Sequence, residues 1–136
     1  MIKLLDILKD KKILVPRRSK EERGKNYQIA LQKKVQQYMK DGGKGDLDLN
    51  STPITSLPSG LSVGGDLDLN STPITSLPSG LSVGGSLYLY GTPIASLPSG
   101  LSVGGNLSLY RTPLSKSHTE EQIRQMVPGI NGHIYM

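Results

Sequence analysis

The chain has no cysteine, no phenylalanine and no tryptophan. Without cysteine there can be no disulfide, no thiolate metal site and no cysteine nucleophile. Six tyrosines are the whole aromatic complement, so a conventional aromatic-rich core is out of reach. Apolar burial has to be spread thinly, which suits units stacked along one axis. Long apolar runs are missing too. Asp6 and Lys9 interrupt the N-terminal MIKLLDILKDKKILVPRR, no small-residue cleavage site follows, and nothing approaches the length of a membrane span. At 136 residues the expectation is one domain, cytoplasmic in whatever cell makes it.

Acidic residues are scarce at one end and basic ones at the other. Residues 1–44 hold thirteen of the sixteen Lys and Arg and five of the eleven acids, a balance of +8. Residues 45–136 hold three bases and six acids, a balance of −3. The result is a basic head on a mildly acidic body.

In the head, Ile2, Leu4, Leu5, Ile7 and Leu8 fit a short amphipathic helix, and Pro16 turns Val15 away from helical conformation. Ser19 and Glu22 predict a capping box, followed by Tyr27, Leu31, Val35 and Tyr38 at helical spacing. Gly42 and Gly43 stop that helix. Residues 1–44 therefore read as a basic helical N-terminal cap.

The body repeats. GDLDLNSTPITSLPSGLSVG occupies 45–64 and again, unchanged, 65–84; GSLYLYGTPIASLPSGLSVG follows at 85–104 with five changes, and a partial copy covers 105–114. Asp46-Leu47-Asp48-Leu49-Asn50 alternates as a strand with one buried face does. Pro53 and Pro58 forbid an ordinary helix in the remainder, and Gly64-Gly65 supplies a turn into the next copy. Each unit reads as one short strand and an extended return that cannot bury its own leucines. Stacking lets Leu47, Leu67, Leu87 and Leu107 form one ladder and Leu49, Leu69, Leu89 and Leu109 another. At the far end Thr119 to Gln122 predicts a second capping box and a helix with Ile123, Met126 and Val127 on its apolar face. Gly132 to Met136 matches the pattern of Gly65 to Leu69, so residues 115–136 are expected to add a capping helix and a closing strand.

Leu67-x-Leu69-x-x-Thr72-x-Ile74 resembles the core pattern of the leucine-rich repeat, and Leu77-Pro78-x-x-Leu81 resembles the return segment of its short bacterial form. The likeness covers residues 45–114. It departs from the family at Thr52, Thr72, Thr92 and Thr112, which stand where Asn is usual. The implied fold is an α+β repeat: a short leucine-rich-repeat-type solenoid with a parallel β-sheet, an N-terminal helical cap and a C-terminal helix-plus-strand cap. Bacterial effectors of this family carry a helical hairpin before the repeats, as residues 1–44 would, and small phage-encoded repeat proteins are also similar. A phage origin would make the compartment the host cytoplasm. The resemblance implies a protein-binding concave face and no enzymatic activity.

Several residues bear on chemistry. Gly-x-Ser-x-Gly recurs around Ser62, Ser82 and Ser102, but no helix is expected after these serines, and three identical nucleophile elbows serve no catalyst. His118 and His133 lack the spacing of a metal site, so no catalytic, metal or cofactor site is assigned. With the leucines inward, Asp46, Asp48, Asp66 and Asp68 face outward on strands about 4.8 Å apart, where carboxylates repel by roughly 1 kcal/mol even at the dielectric of water. They are a cation site, a landing strip for a basic partner, or a solvated edge copied by duplication; they lack the glycine-rich spacing of calcium-binding β-rolls. The third copy keeps its leucines and replaces the outward residues with Ser86, Tyr88 and Tyr90; Tyr110 and Tyr135 follow. Tyrosine favours protein interfaces because it joins apolar area to a polar tip, so the expected partner is a protein held by these aspartates and tyrosines. Lys11, Lys12, Arg17, Arg18, Lys20, Arg23 and Lys25 offer the alternative of a nucleic acid or other polyanion. A structural role in a virus particle is a third reading.

Overall fold

A computed structural model describes residues 20–136, with side chains from Tyr27 onward. The expected helix of residues 2–8 and the capping residue Ser19 lie outside the described residues. Helix α1 (Lys20–Lys40) opens the structure. Its end is set by glycine: Gly42 and Gly43 take φ of 95° and 66°, and Gly43 N–H closes on the Tyr38 carbonyl at 3.0 Å, a left-handed helix stop. Leu31 and Val35 are buried and Tyr38 half-buried, as the spacing predicts. Tyr27 departs from it, being 50% exposed. Gln28 meets the body there instead, donating to the Pro53 carbonyl.

The body is a parallel-strand β-solenoid. One sheet holds β1 (Leu47–Asp48), β3 (Leu67–Asp68), β5 (Leu87–Tyr88), β7 (Leu107–Ser108) and β9 (Ile134–Tyr135), in that order. The second holds β2 (Ser62–Val63), β4 (Ser82–Val83), β6 (Ser102–Val103) and β8 (Gly129–Ile130). Every pairing is parallel and in repeat register, from Leu47↔Leu67 through Leu87↔Leu107 and from Val63↔Val83 to Val103↔Ile130. The unit therefore has two strands where its sequence predicts one. The return Leu61-Ser62-Val63 pairs because Val63 points inward and Ser62 outward, an alternation only two residues long.

Between the sheets lies one continuous core. The Leu47, Leu49, Ile54, Leu57, Leu61 and Val63 columns are buried in every unit. Each fully buried Leu or Ile contributes about 1.5–3 kcal/mol relative to exposure, and only a neighbouring unit supplies the cover. The turn after the first strand is held by threonine. Thr52, Thr72, Thr92 and Thr112 donate their hydroxyls to the carbonyls of Leu49, Leu69, Leu89 and Leu109 at 2.6–2.9 Å. They thus bind within their own turn, three residues back. The Gly-Gly step is also explained by stacking. A β-carbon at Gly84 would collide with the Gly64 carbonyl, and one at Gly85 with Asp66 Oδ1.

Two short helices, α2 (Pro113–Ser117) and α3 (Glu120–Met126), lengthen the last turn. The sequence predicts only the second of them. Thr112 caps α2 by accepting from Ser115 N–H at 3.1 Å, with Pro113 at the first helical position. The capping box of Thr119 and Gln122 is present in both directions. Val127 ends α3 and is buried. Arg124 pairs with Glu120 at 3.2 Å and donates to the Gly132 carbonyl at 2.8 Å, fastening α3 to the closing strand. That strand, β9, pairs with β7 as Leu107↔Ile134 and Ser108↔Tyr135. Among the described residues no helix is long and apolar enough to cross a membrane.

Candidate functional site

The five-stranded sheet turns three columns of side chains outward, and each has a different job. The first column is Asp46, Asp66, Ser86, Asn106 and His133. Asp46 Oδ1 accepts from the Asp66 N–H at 2.7 Å, and Asp66 Oδ1 from the Ser86 N–H at 2.7 Å. Ser86 Oγ accepts from the Asn106 N–H at 3.0 Å, and Asn106 Oδ1 from the His133 N–H at 2.9 Å. Each acceptor thus ties one turn to the next. Asp46 and Asp66 are first of all structural ligands, and Gly65 and Gly85 leave room for their carboxylates.

The second column is Asp48, Asp68, Tyr88, Ser108 and Tyr135. Asp48 and Asp68 accept from the N–H of Asn50 and Asn70 at 2.9 and 3.0 Å, bonds within one turn. Burial raises the Asp68 carboxyl above the usual aspartate range; the Asn70 N–H opposes this and the neighbouring Asp48 charge adds to it. Beside the first strand, Lys34, Tyr38, Asp41, Asp46 and Asp48 line an open groove of about 440 Å³. Lys34 Nζ donates there to the Asp48 carbonyl at 3.1 Å.

The third column is Asn50, Asn70, Tyr90 and Tyr110. Asn70 Oδ1 accepts from the Tyr90 N–H at 2.7 Å, while the Tyr90 and Tyr110 side chains stand 40% and 45% exposed. Tyr110 stacks on Tyr135 with ring centres 6.3 Å apart and planes 22° from parallel. Tyr135 is itself 41% exposed. Tyr88 is half-buried in β5 between Asp68 and Ser108. Two further residues complete the patch: the Arg111 guanidinium lies 5.9 Å from the centre of the Tyr90 ring, and His133 lies against Tyr135. The sign of Arg111 in the sequence is that it is the one base within the repeats of residues 45–114, at a position held by Ser51, Ser71 and Gly91 in the other units.

The two halves of the predicted site are therefore one continuous surface with acids on the first two turns and aromatic rings on the last three. The other candidates are placed differently. Lys11, Lys12, Arg17 and Arg18 lie outside the described residues, and Lys20, Arg23 and Lys25 lie on α1 with their side chains outside them. Ser62, Ser82 and Ser102 sit in two-residue strands that run into Gly-Gly turns, with no helix after them. His118 contacts the adjacent Ser117 hydroxyl at 2.7 Å. Compared with protein-family models, curated proteins and solved structures, the chain matches none.

Proposed function

We propose that the protein is a non-enzymatic interaction module of leucine-rich-repeat type that binds a protein partner on the outward face of its five-stranded sheet. One observation carries this reading. From the second turn to the third the buried leucines are unchanged, while Asp68 and Asn70 give way to Tyr88 and Tyr90 at the outward positions. Packing does not require that exchange, because Asp68 and Tyr88 occupy the same register on adjacent strands. The aromatic end supplies area to be buried in a complex, with rings whose two torsions cost little to fix. The carboxylates supply charge for a basic partner.

The test is affinity capture from cells that make the protein, comparing the natural chain with the Tyr88→Ala, Tyr90→Ala, Tyr110→Ala triple variant. The variant should lose the captured partner, with affinity falling at least about 100-fold if two of the rings are hot spots. Capture of the same partner at undiminished affinity would sink the reading. The segregation of +8 into residues 1–44 supports a second reading, polyanion binding through the head. That reading requires steeply salt-dependent binding to DNA or RNA that disappears when Arg17, Arg18, Lys20 and Arg23 are neutralised.

A further inference from the structure

The outward face of the five-stranded sheet turns its acceptors toward its own backbone. Ser86 Oγ and Asn106 Oδ1 accept from the N–H of the following turn, and Asn70 Oδ1 accepts from the Tyr90 N–H. What these neutral side chains have left to offer is donors: the Ser86 hydroxyl proton and the NH2 groups of Asn70 and Asn106. The Tyr88, Tyr90 and Tyr110 hydroxyls stand among them, and the exposed Arg111 brings donors alone. Among the described residues none of these donors meets an acceptor. The first two turns are the reverse, since the carboxylates of Asp46, Asp48, Asp66 and Asp68 are charged acceptors. Strand register fixes the spacing between the two halves. Asp48, Asp68, Tyr88 and Ser108 are successive partners on adjacent strands, so two turns advance about 9.6 Å.

We infer that the occupant of this face is a proline-rich segment of the partner in the polyproline II conformation. It lies across the strands, with a basic residue over the first two turns and prolines over the tyrosines. The inference rests on the reading that this face binds a protein, and names the part of the protein it takes. Three properties choose the occupant. Proline has a carbonyl and no N–H, and a polyproline II helix has no internal hydrogen bonds. Such a backbone brings acceptors with few donors to a face rich in donors. The exposed tyrosine rings offer flat apolar area to the pyrrolidine rings, as aromatic-lined surfaces for such segments do. The period fits as well: three residues of polyproline II advance about 9.3 Å, close to two turns of the solenoid. Every third residue therefore stays in phase with alternate turns. A basic residue over Asp48 sets the proline three places on beside Tyr88, and one over Asp68 sets it beside Tyr110. A β-strand, with a two-residue period of about 6.6 Å, falls out of step with the turns. Charge decides against a nucleic acid, whose phosphates would lie along four aspartates.

The test uses the full chain and two libraries of labelled peptides about seven residues long, enough to cross the five strands. Both libraries carry arginine or proline at every third position, arginine leading in one and closing the other, with the remaining positions randomised. Fluorescence anisotropy should show one of the two binding, and binding at least about tenfold more weakly once its prolines are replaced by alanine. Tyr90→Ala should weaken binding to a similar degree with the circular-dichroism spectrum of the protein unchanged. Asp48→Asn combined with Asp68→Asn should remove most of the salt dependence. No binding by either library overturns the inference, as does binding indifferent to the loss of proline or to Tyr90→Ala. An oligothymidylate that binds the natural chain and is lost with Tyr90→Ala overturns it too, because the occupant is then a nucleic-acid strand. The broader reading fails separately. A partner captured by the natural chain and lost with the triple tyrosine variant, where neither library binds, leaves protein binding standing and strikes only the proline-rich segment.

Discussion

A single backbone angle separates the three copies of the repeat. Ser51 and Ser71 are held at φ of 57° and 58°, the left-handed region that a β-carbon disfavours, and Arg111 is there as well at 57°. In the third copy the same position is Gly91, at φ 69°. The Ser-to-Gly change is thus a local repair, distinct from the tyrosine exchanges beside it. Ser71→Gly should stabilise the fold by about 1 kcal/mol, and Gly91→Ser should cost a similar amount, both read from thermal denaturation. The aspartates divide in the same way. Asp46→Ala removes the acceptor of the Asp66 N–H at a site water reaches and should cost about 0.5–1.5 kcal/mol, the net worth of one hydrogen bond, whereas Asp46→Asn keeps an oxygen in place. Asp68 behaves oppositely. Its folded carboxyl titrates above the ordinary 3.8, so the folded state binds the proton more tightly than the unfolded chain does. That contribution is fully present below about pH 3.8 and is lost as pH rises through the raised value. Asp68→Asn should therefore be the more stable protein at pH 7 in urea unfolding, and its advantage should shrink as pH falls below 4. An advantage that grows on acidification would show that the shift has the other sign.

At the scale of elements, what the sequence reveals depends on how far a signal extends along the chain. Asp46 to Asn50 alternates over five residues, and the first sheet, its register and the closing strand at Ile134 are all legible from it. The second sheet rests on Ser62 and Val63 alone, too short for any periodicity, with a glycine on either side to suggest only a turn. Helix α2 is hidden because Thr112-Pro113-Leu114 reads as another return, when it is also a cap, a first helical position and a core residue. The Asp46 ladder is hidden for a different reason: its partner is twenty residues away and is defined only once the turns are stacked. Its trace in the sequence is Gly65, which must lack a side chain to accommodate the carboxylate. The caps make their own prediction. Val35 is fully buried at the contact between α1 and the first turn, so Val35→Ala should cost about 2 kcal/mol. Hydrogen exchange should then quicken first in residues 45–64. If protection were lost evenly along the solenoid, α1 would not be a local cap.

For the whole molecule, the consequence of a stack with one register is that a unit can be removed without a scar. Deleting residues 65–84 joins Gly64 to Gly85, a step identical to Gly84-Gly85. Leu47 then pairs with Leu87 as Leu67 does, and Asp46 Oδ1 receives the Ser86 N–H that Asp66 receives in the natural chain. Helix α1 keeps its contacts with Pro53, Ser56 and Asp48, because all three lie in the retained first unit. The shortened protein should fold cooperatively and melt at a lower temperature. Its calorimetric unfolding enthalpy should be smaller by about 14 kcal/mol near 60 °C, the share of twenty residues. Reinserting the unit in two copies should move both quantities the other way, as expected where each turn interacts only with its neighbours. The deletion also divides the binding face, removing Asp66 and Asp68 while leaving every tyrosine of the patch in place. A partner held by the aromatic end should keep most of its affinity for the shortened protein and lose part of its salt dependence. A partner lost altogether would place the acidic turns at the centre of recognition, and the tyrosines at its margin.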